Sequence, residues 1–166
     1  MDLALLEAEL RRDESVRYVP YLDTATAPRR TVGVGHNMDV SPLPAGWTFP
    51  LTDAQVNQLL ARDIATSVAK LDANLPWWRQ MDEVRQRVLA NMVFNLGIGN
   101  AALGTGLLGF HNTLGAMQRG SYAVAAAGML SSKWAQQTGM RARRLAYAME
   151  YDVMIDVVPP IYASHV

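Results

Sequence analysis

The sequence predicts an α+β fold, and three observations predict it. β-forming residues gather between 16 and 40, where Val16, Tyr18, Val19, Tyr21, Thr31, Val32 and Val34 are punctuated by Pro20, Pro28, Gly33 and Gly35. Residues 52 to 73 carry one long apolar repeat at helical period. After Pro76 the helical period returns and dominates the rest of the chain. A length of 166 residues suits one domain or two closely packed lobes.

Each element has its own signal. Leu3, Leu6 and Leu10, with Glu7, Glu9, Arg11 and Arg12 between them, read as an amphipathic first helix. The segment 16–40 reads as a short antiparallel sheet or meander. Pro42, Pro44, Gly46 and Pro50 make residues 41–50 a loop. Thr52 and Gln55 form a capping-box pair, and Asp53 suits the positive start of a helix. Val56, Leu59, Leu60, Ile64, Val68 and Leu71 keep period until Pro76 stops it. Such a helix, roughly 30 Å long at 1.5 Å per residue, can bridge two lobes. Residues 82–96 place Val84, Val88, Leu89, Met92, Val93 and Leu96 on one side. Gly97, Gly99, Gly104, Gly106 and Gly109 predict a loose linker. Helices follow near 110–118, at 121–131 with Ser121 as N-cap, and at 140–155, ended by Pro159 and Pro160.

Composition excludes several classes. Half the residues are apolar and 18% are charged, so the chain is globular. The absence of cysteine rules out a disulfide framework, a zinc finger and a cysteine nucleophile. No apolar run approaches a membrane span, and Met1-Asp2-Leu3 has no basic secretory n-region. The zero net charge hides a tilt: residues 1–60 carry net −3 and residues 61–166 net +3. A nucleic-acid-binding domain would be far more basic, so no nucleic-acid partner is expected.

The chemically informative segment runs from Arg12 to His36. Glu14 ends the first helix, Asp23 follows a strand at a turn, and Thr31 opens a Thr-Val-Gly-Val-Gly-His run. Glycoside hydrolysis uses such a set: one carboxylic acid protonates the leaving oxygen, while a carboxylate orients or deprotonates water, or attacks. Their environments must hold them in different protonation states. The plainer reading is two acids near a turn, with Gly33 and Gly35 marking a tight crossing. A lone G-x-G without a following Gly-Lys-Ser/Thr is no phosphate loop.

The order Glu14, Asp23, Thr31, Gly33, Gly35, His36 resembles the catalytic segment of phage-type lysozymes, glycoside hydrolase family 24. The run from Arg87 to Gly97 is similar to the family's core helix and its exit. Residues 109–114 are similar to the next helix start, and Ser132-Lys-Trp134 and Gln137 to Arg144 to the C-terminal motif. The resemblance covers most of the chain, in the family's order.

It implies a two-lobed, lysozyme-like fold. The N-terminal lobe spans about 13–60, a helix about 52–73 links it, and the C-terminal lobe takes about 74–166 plus the first helix. A cleft between the lobes is expected. Glu14 would be the general acid, and Asp23 and Thr31 would hold the attacking water. The bond cut would join N-acetylmuramic acid to N-acetylglucosamine in peptidoglycan, with inversion. Arg141 matches an arginine that pairs with the catalytic glutamate, and His36 a histidine that pairs with an aspartate, here Asp63. A cation beside Glu14 favours its ionised form, which a general acid does not want. Asn37, Phe94, Asn95, Phe110, Asn112 and Thr113 match positions near the family's substrate cleft. The plainer roles are core for Phe94 and Phe110 and helix capping for Asn112 and Thr113. Trp134 reads as core and Trp77-Trp78 as partly exposed surface. With three scattered histidines, no metal site or cofactor is expected.

The sequence also departs from the family. Seven residues separate Asp23 from Thr31, two more than the family pattern, and Ala25, Ala27 and Pro28 stand where a glycine is usual. The hairpin must turn differently, with Arg29 and Arg30 at its tip and Thr24 or Thr26 as alternative hydroxyls. Ser15 replaces the usual glycine after Glu14. The leading expectation is a monomeric phage endolysin, held in the host cytoplasm until a membrane-permeabilising protein releases it to the wall. A virion-associated or catalytically impaired wall-binding protein is the alternative. A zinc amidase is disfavoured by the poor supply of metal ligands.

Overall fold

The computed structural model describes residues 1–23 and 28–163. The fold is α+β and lysozyme-like, and contacts divide it into two compact units. One is Leu3–Thr66; the other is Met1–Asp2 with Ser67–Val166. This division groups the first helix with the sheet, where the sequence reading joined it to the helical lobe.

In the N-terminal unit, α1 (Leu3–Glu14) buries Leu6 and Leu10, and Arg11 donates to Asn57 Oδ1 at 2.5 Å. Strands β1 (Arg17–Leu22), β2 (Arg30–Gly33) and β3 (His36–Asn37) form an antiparallel sheet in that order. Arg30 is therefore a strand residue opposite Leu22, not part of the hairpin tip. Thr24, Ala25, Thr26 and Ala27 lie outside the described residues. A methyl group on Gly33 would sit 3.7 Å from Val56 Cγ1 and 3.9 Å from Leu59 Cδ1, so β2 lies close against α2 (Asp53–Asn74). The capping box opens this helix: Thr52 N–H donates to Gln55 Oε1 at 2.8 Å, and Gln55 N–H to Thr52 Oγ1 at 3.3 Å. Val56, Leu59, Leu60 and Ile64 are buried with Val32 and Val34.

The C-terminal unit takes α2 from Ser67 onward. Pro76–Gln80 form a 3-10 turn, and the Trp77–Trp78 pair splits. Trp77 is half-buried, whereas Trp78 is fully buried and donates its Nε1–H to Asp72 Oδ1 at 2.8 Å. α3 (Glu83–Leu96) corrects the one-sided reading: it is buried continuously from Arg87 to Val93. It is a central helix, and neighbours cover it all round.

The glycine-rich stretch after α3 is also not loose. Asn100 and Thr105 exchange backbone hydrogen bonds at 3.1 Å. Leu107 N–H reaches Gly97 C=O at 3.0 Å, and Leu108 N–H reaches Ile98 C=O at 2.9 Å. Gly99, at φ +73°, lets the two arms of this turn touch backbone to backbone.

The remaining helices are α4 (His111–Gln118), α5 (Tyr122–Leu130), α6 (Lys133–Thr138), α7 (Met140–Tyr151) and α8 (Pro160–Ala163). Sequence periodicity did not foresee α6. Ser121 precedes α5 but makes no side-chain capping bond; the working serine cap is Ser132, whose Oγ accepts from Ala135 N–H at 3.1 Å. α7 ends at Tyr151, earlier than the prolines suggested, because Asp152 turns left-handed at φ +58°. Arg85 caps that end, donating to Met149 C=O at 2.8 Å and Glu150 C=O at 3.2 Å. Pro160 starts a helix rather than ending one, as a ring with fixed φ and no N–H can.

Candidate active site

Glu14 is the last residue of α1, and the chain must leave the helix immediately after it. Ser15 does this with φ +63°, its N–H bonding Arg11 C=O at 3.0 Å. That is the left-handed helix-ending position where glycine is favoured. A side chain there costs about 1 kcal/mol of backbone strain. Ser15→Gly is therefore expected to raise the melting temperature by roughly 2–4 °C. A melt by circular dichroism checks it, and an unchanged or lower midpoint would rule the strain out.

Gly35 forms the wall beside the Glu14 carboxyl. It sits at φ +71°, and a Cβ there would lie 3.4 Å from Glu14 Oε2 and 3.5 Å from its Cδ. The second glycine of the Gly-x-Gly run thus lets the strand turn close to the carboxyl group.

Asp23 and Thr31 both bond to the backbone of Arg29. Asp23 N–H donates to Arg29 C=O at 3.1 Å, and Asp23 Oδ1 accepts Arg29 N–H at 3.0 Å. Thr31 Oγ1 donates to the same Arg29 carbonyl at 3.2 Å. The two ends of the lengthened hairpin are closed by these bonds. With its proton spent on Arg29, the Thr31 hydroxyl has lone pairs to offer a water. Thr31 is buried; Glu14 and Asp23 are partly exposed.

Sequence reasoning passed over Tyr21. Burial, then the negative charge of Glu14, pushes its phenol above the ordinary tyrosine value. Asp23 adds to the rise and Arg17 opposes it. The spacing to Asp23 is a weak signal, because β1 ends at Leu22 and strand alternation alone does not put Tyr21 and Asp23 on one face.

Other expected residues have firm local work. Asn37 Oδ1 accepts from Asp39 N–H at 2.9 Å and Val40 N–H at 3.3 Å, shaping the turn after β3. Asp39 in turn holds the Arg30 N–H and Nε, at 2.9 and 2.7 Å. These bonds lower its carboxyl below the usual value. His36 is buried, with Nδ1 2.7 Å from Asp63 Oδ2 and Nε2 2.7 Å from Ser41 C=O. Arg62 lies 3.3 Å from that Nε2. The histidine thereby fixes the loop after β3 to α2. Among the described residues, no group of three histidine, aspartate or glutamate side chains could hold a metal ion.

The C-terminal unit supplies a cavity of about 580 Å³, lined in part by Phe110, Asn112, Thr113, Gly128, Trp134 and Gln137. This lies within the usual range for a ligand pocket. Phe110 meets Trp134 edge to face, ring centres 6.1 Å apart. Trp134 donates Nε1–H to Asn95 Oδ1 at 2.9 Å. Asn112 and Thr113 do not cap α4, since Phe110 takes the cap position. Thr113 instead fills the space left by Gly128, where a Cβ would come within 2.4 Å of its Oγ1. Phe94 is half-buried. Arg141 is buried and donates from Nε to Asn91 Oδ1 at 2.9 Å.

Residues 11–147 match the phage lysozyme family, a span that contains Glu14, Asp23, Thr31 and Arg141. The chain belongs to the phage lysozyme family. It is similar to the pre-baseplate central spike protein Gp5 of Enterobacteria phage T4, with 30% identity over 156 residues. That likeness covers 82% of this chain and 26% of the spike protein. It is also similar to probable T4-type lysozyme 1 of Dictyostelium discoideum, with 25% identity over 103 residues, 60% of this chain and 57% of that one. The chain therefore spans about a quarter to just over half of these relatives' lengths. In this phage lysozyme family member the match stops short of α8. Its Tyr162 meets Tyr147 edge to face at 5.2 Å. Among the described residues, no helix is long and apolar enough to cross a membrane.

Proposed function

We propose that this chain hydrolyses the β-1,4 bond between N-acetylmuramic acid and N-acetylglucosamine in peptidoglycan, with inversion. The observation that supports this reading is that Asp23 and Thr31 are both tied to the backbone of Arg29, in the same unit as Glu14. Glu14, as the general acid, gives a proton to the leaving glycosidic oxygen. Water held by Asp23 and Thr31 attacks the anomeric carbon from the opposite face, and Asp23 accepts its proton. The bond to the leaving oxygen breaks, and muramic acid becomes a new reducing end. The Phe110–Trp134 cavity, with Asn112 and Gln137, suits the rings and amides of the same polymer.

The test is digestion of purified peptidoglycan with mass analysis of borohydride-reduced products. Reduced muramic acid at the new ends is expected, unaffected by a chelator. Reduced glucosamine ends, released peptides, or no cleavage would each overturn the reading.

We infer a monomeric endolysin, stored in the host cytoplasm until released to the wall. The likeness to a T4 spike protein favours a second reading, a virion-associated lysozyme domain. Mass spectrometry of purified particles separates the two. The chain among the virion proteins favours the second, and its absence there favours the first.

A further inference from the structure

We propose that Tyr21 is a further substrate-contacting residue, whose phenol hydroxyl donates a hydrogen bond to the glycan beside the bond being cut. The inference rests on the cleavage reading above and adds a residue to its site.

Tyr21 pairs directly with Thr31 across β1 and β2. Directly paired residues of antiparallel strands project to the same face. Asp23 follows just past the end of β1, where its N–H continues the pairing to Arg29 C=O at 3.1 Å. The carboxylates of Glu14 and Asp23 both raise the phenol's pKa, which puts it within their electrostatic reach. The ring is held in place, because the Arg17 guanidinium sits 4.4 Å from its centre. Such a cation–π contact fixes orientation and covers one aromatic face. What Tyr21 then offers a neutral sugar acceptor is its hydroxyl.

That hydroxyl is uncommitted: among the described residues, none shares a hydrogen bond with it. Tyr18, on the same strand, is the contrast. Its hydroxyl is spent on Asp53 Oδ1 at 2.7 Å, at the start of α2. Burial and the neighbouring carboxylates keep the Tyr21 phenol neutral well beyond neutral pH, so it stays a donor. Sugar hydroxyls and N-acetyl carbonyls are the neutral acceptors that match it.

The experiment compares wild type, Tyr21→Phe and Tyr18→Phe on soluble uncross-linked glycan strands, with kcat, KM and Tm for each. Tyr21→Phe keeps the ring and its Arg17 contact. It should lower kcat/KM about tenfold, one hydrogen bond's worth, with Tm unchanged. Tyr18→Phe should lower Tm and leave kcat/KM near wild type. A kcat/KM for Tyr21→Phe within twofold of wild type overturns the proposal. So does a loss that Tyr18→Phe shares. Should wild type cut nothing, the cleavage reading fails, and strand binding then decides on Tyr21: weaker binding by Tyr21→Phe supports the contact, and equal binding overturns it.

Discussion

Glu14→Gln is expected to lower the cleavage rate by roughly 10²–10⁴-fold, the usual worth of a positioned general acid. At 1.36 kcal/mol per tenfold, that is about 3–5 kcal/mol of transition-state stabilisation. The amide matches the carboxyl in size, so it fits the same space beside Gly35, where an added Cβ would come 3.4 Å from Oε2. It cannot supply an acidic proton to the leaving oxygen. The loss should therefore fall on kcat, with glycan binding and the thermal midpoint near those of wild type. Reducing-end release gives the rate and circular dichroism the midpoint. A rate within tenfold of wild type would remove Glu14 from the role of acid. A collapse of the midpoint would mean that the carboxylate holds the fold instead.

Gly99→Ala should be the most damaging small substitution for the fold. The new Cβ would lie 1.9 Å from the Thr105 carbonyl oxygen and 2.6 Å from Gly106 Cα. Both are backbone atoms in a turn closed by hydrogen bonds from Asn100 to Thr105, so neither can swing away. The positive φ of +73° adds strain for any side chain. A loss of about 3 kcal/mol or more is expected. In a chain of this size that lowers the midpoint by roughly 6–12 °C. Because Gly106 and Gly109 contribute to the cavity holding Phe110 and Trp134, glycan affinity should fall as well. Gly120→Ala is the control, since its Cβ would meet nothing within 4 Å and only the positive φ is penalised. Equal midpoints for the two variants would show that the close approach carries no energy.

The two glycine positions illustrate how much the chain discloses by itself. Local signals with short reach were legible: the Thr52–Gln55 box, the period of α2 and the halt at Pro76 all depend on residues within a turn or two. The glycines at 97–109 gave the opposite impression, because composition reports conformational freedom but not the partner that uses it. Ser121 and Ser132 look alike in sequence, yet only Ser132 finds a cap donor. Tyr21 was hidden because its partner Thr31 is ten residues away across a turn.

By itself the sequence determined the α+β class, the antiparallel segment before the long helix, and the segment in which two carboxylates and a threonine recur in family order. Those follow from periodicity, capping and motif order, all of which are written along the chain. Tertiary structure alone decided that α3 is buried all round and that Arg85 closes α7. It also decided that Asp23 and Thr31 both bond to the Arg29 backbone and that Gly35 walls Glu14. Each of these depends on which distant groups meet once apolar surface is buried, and buried polar groups must then find partners wherever the fold puts them.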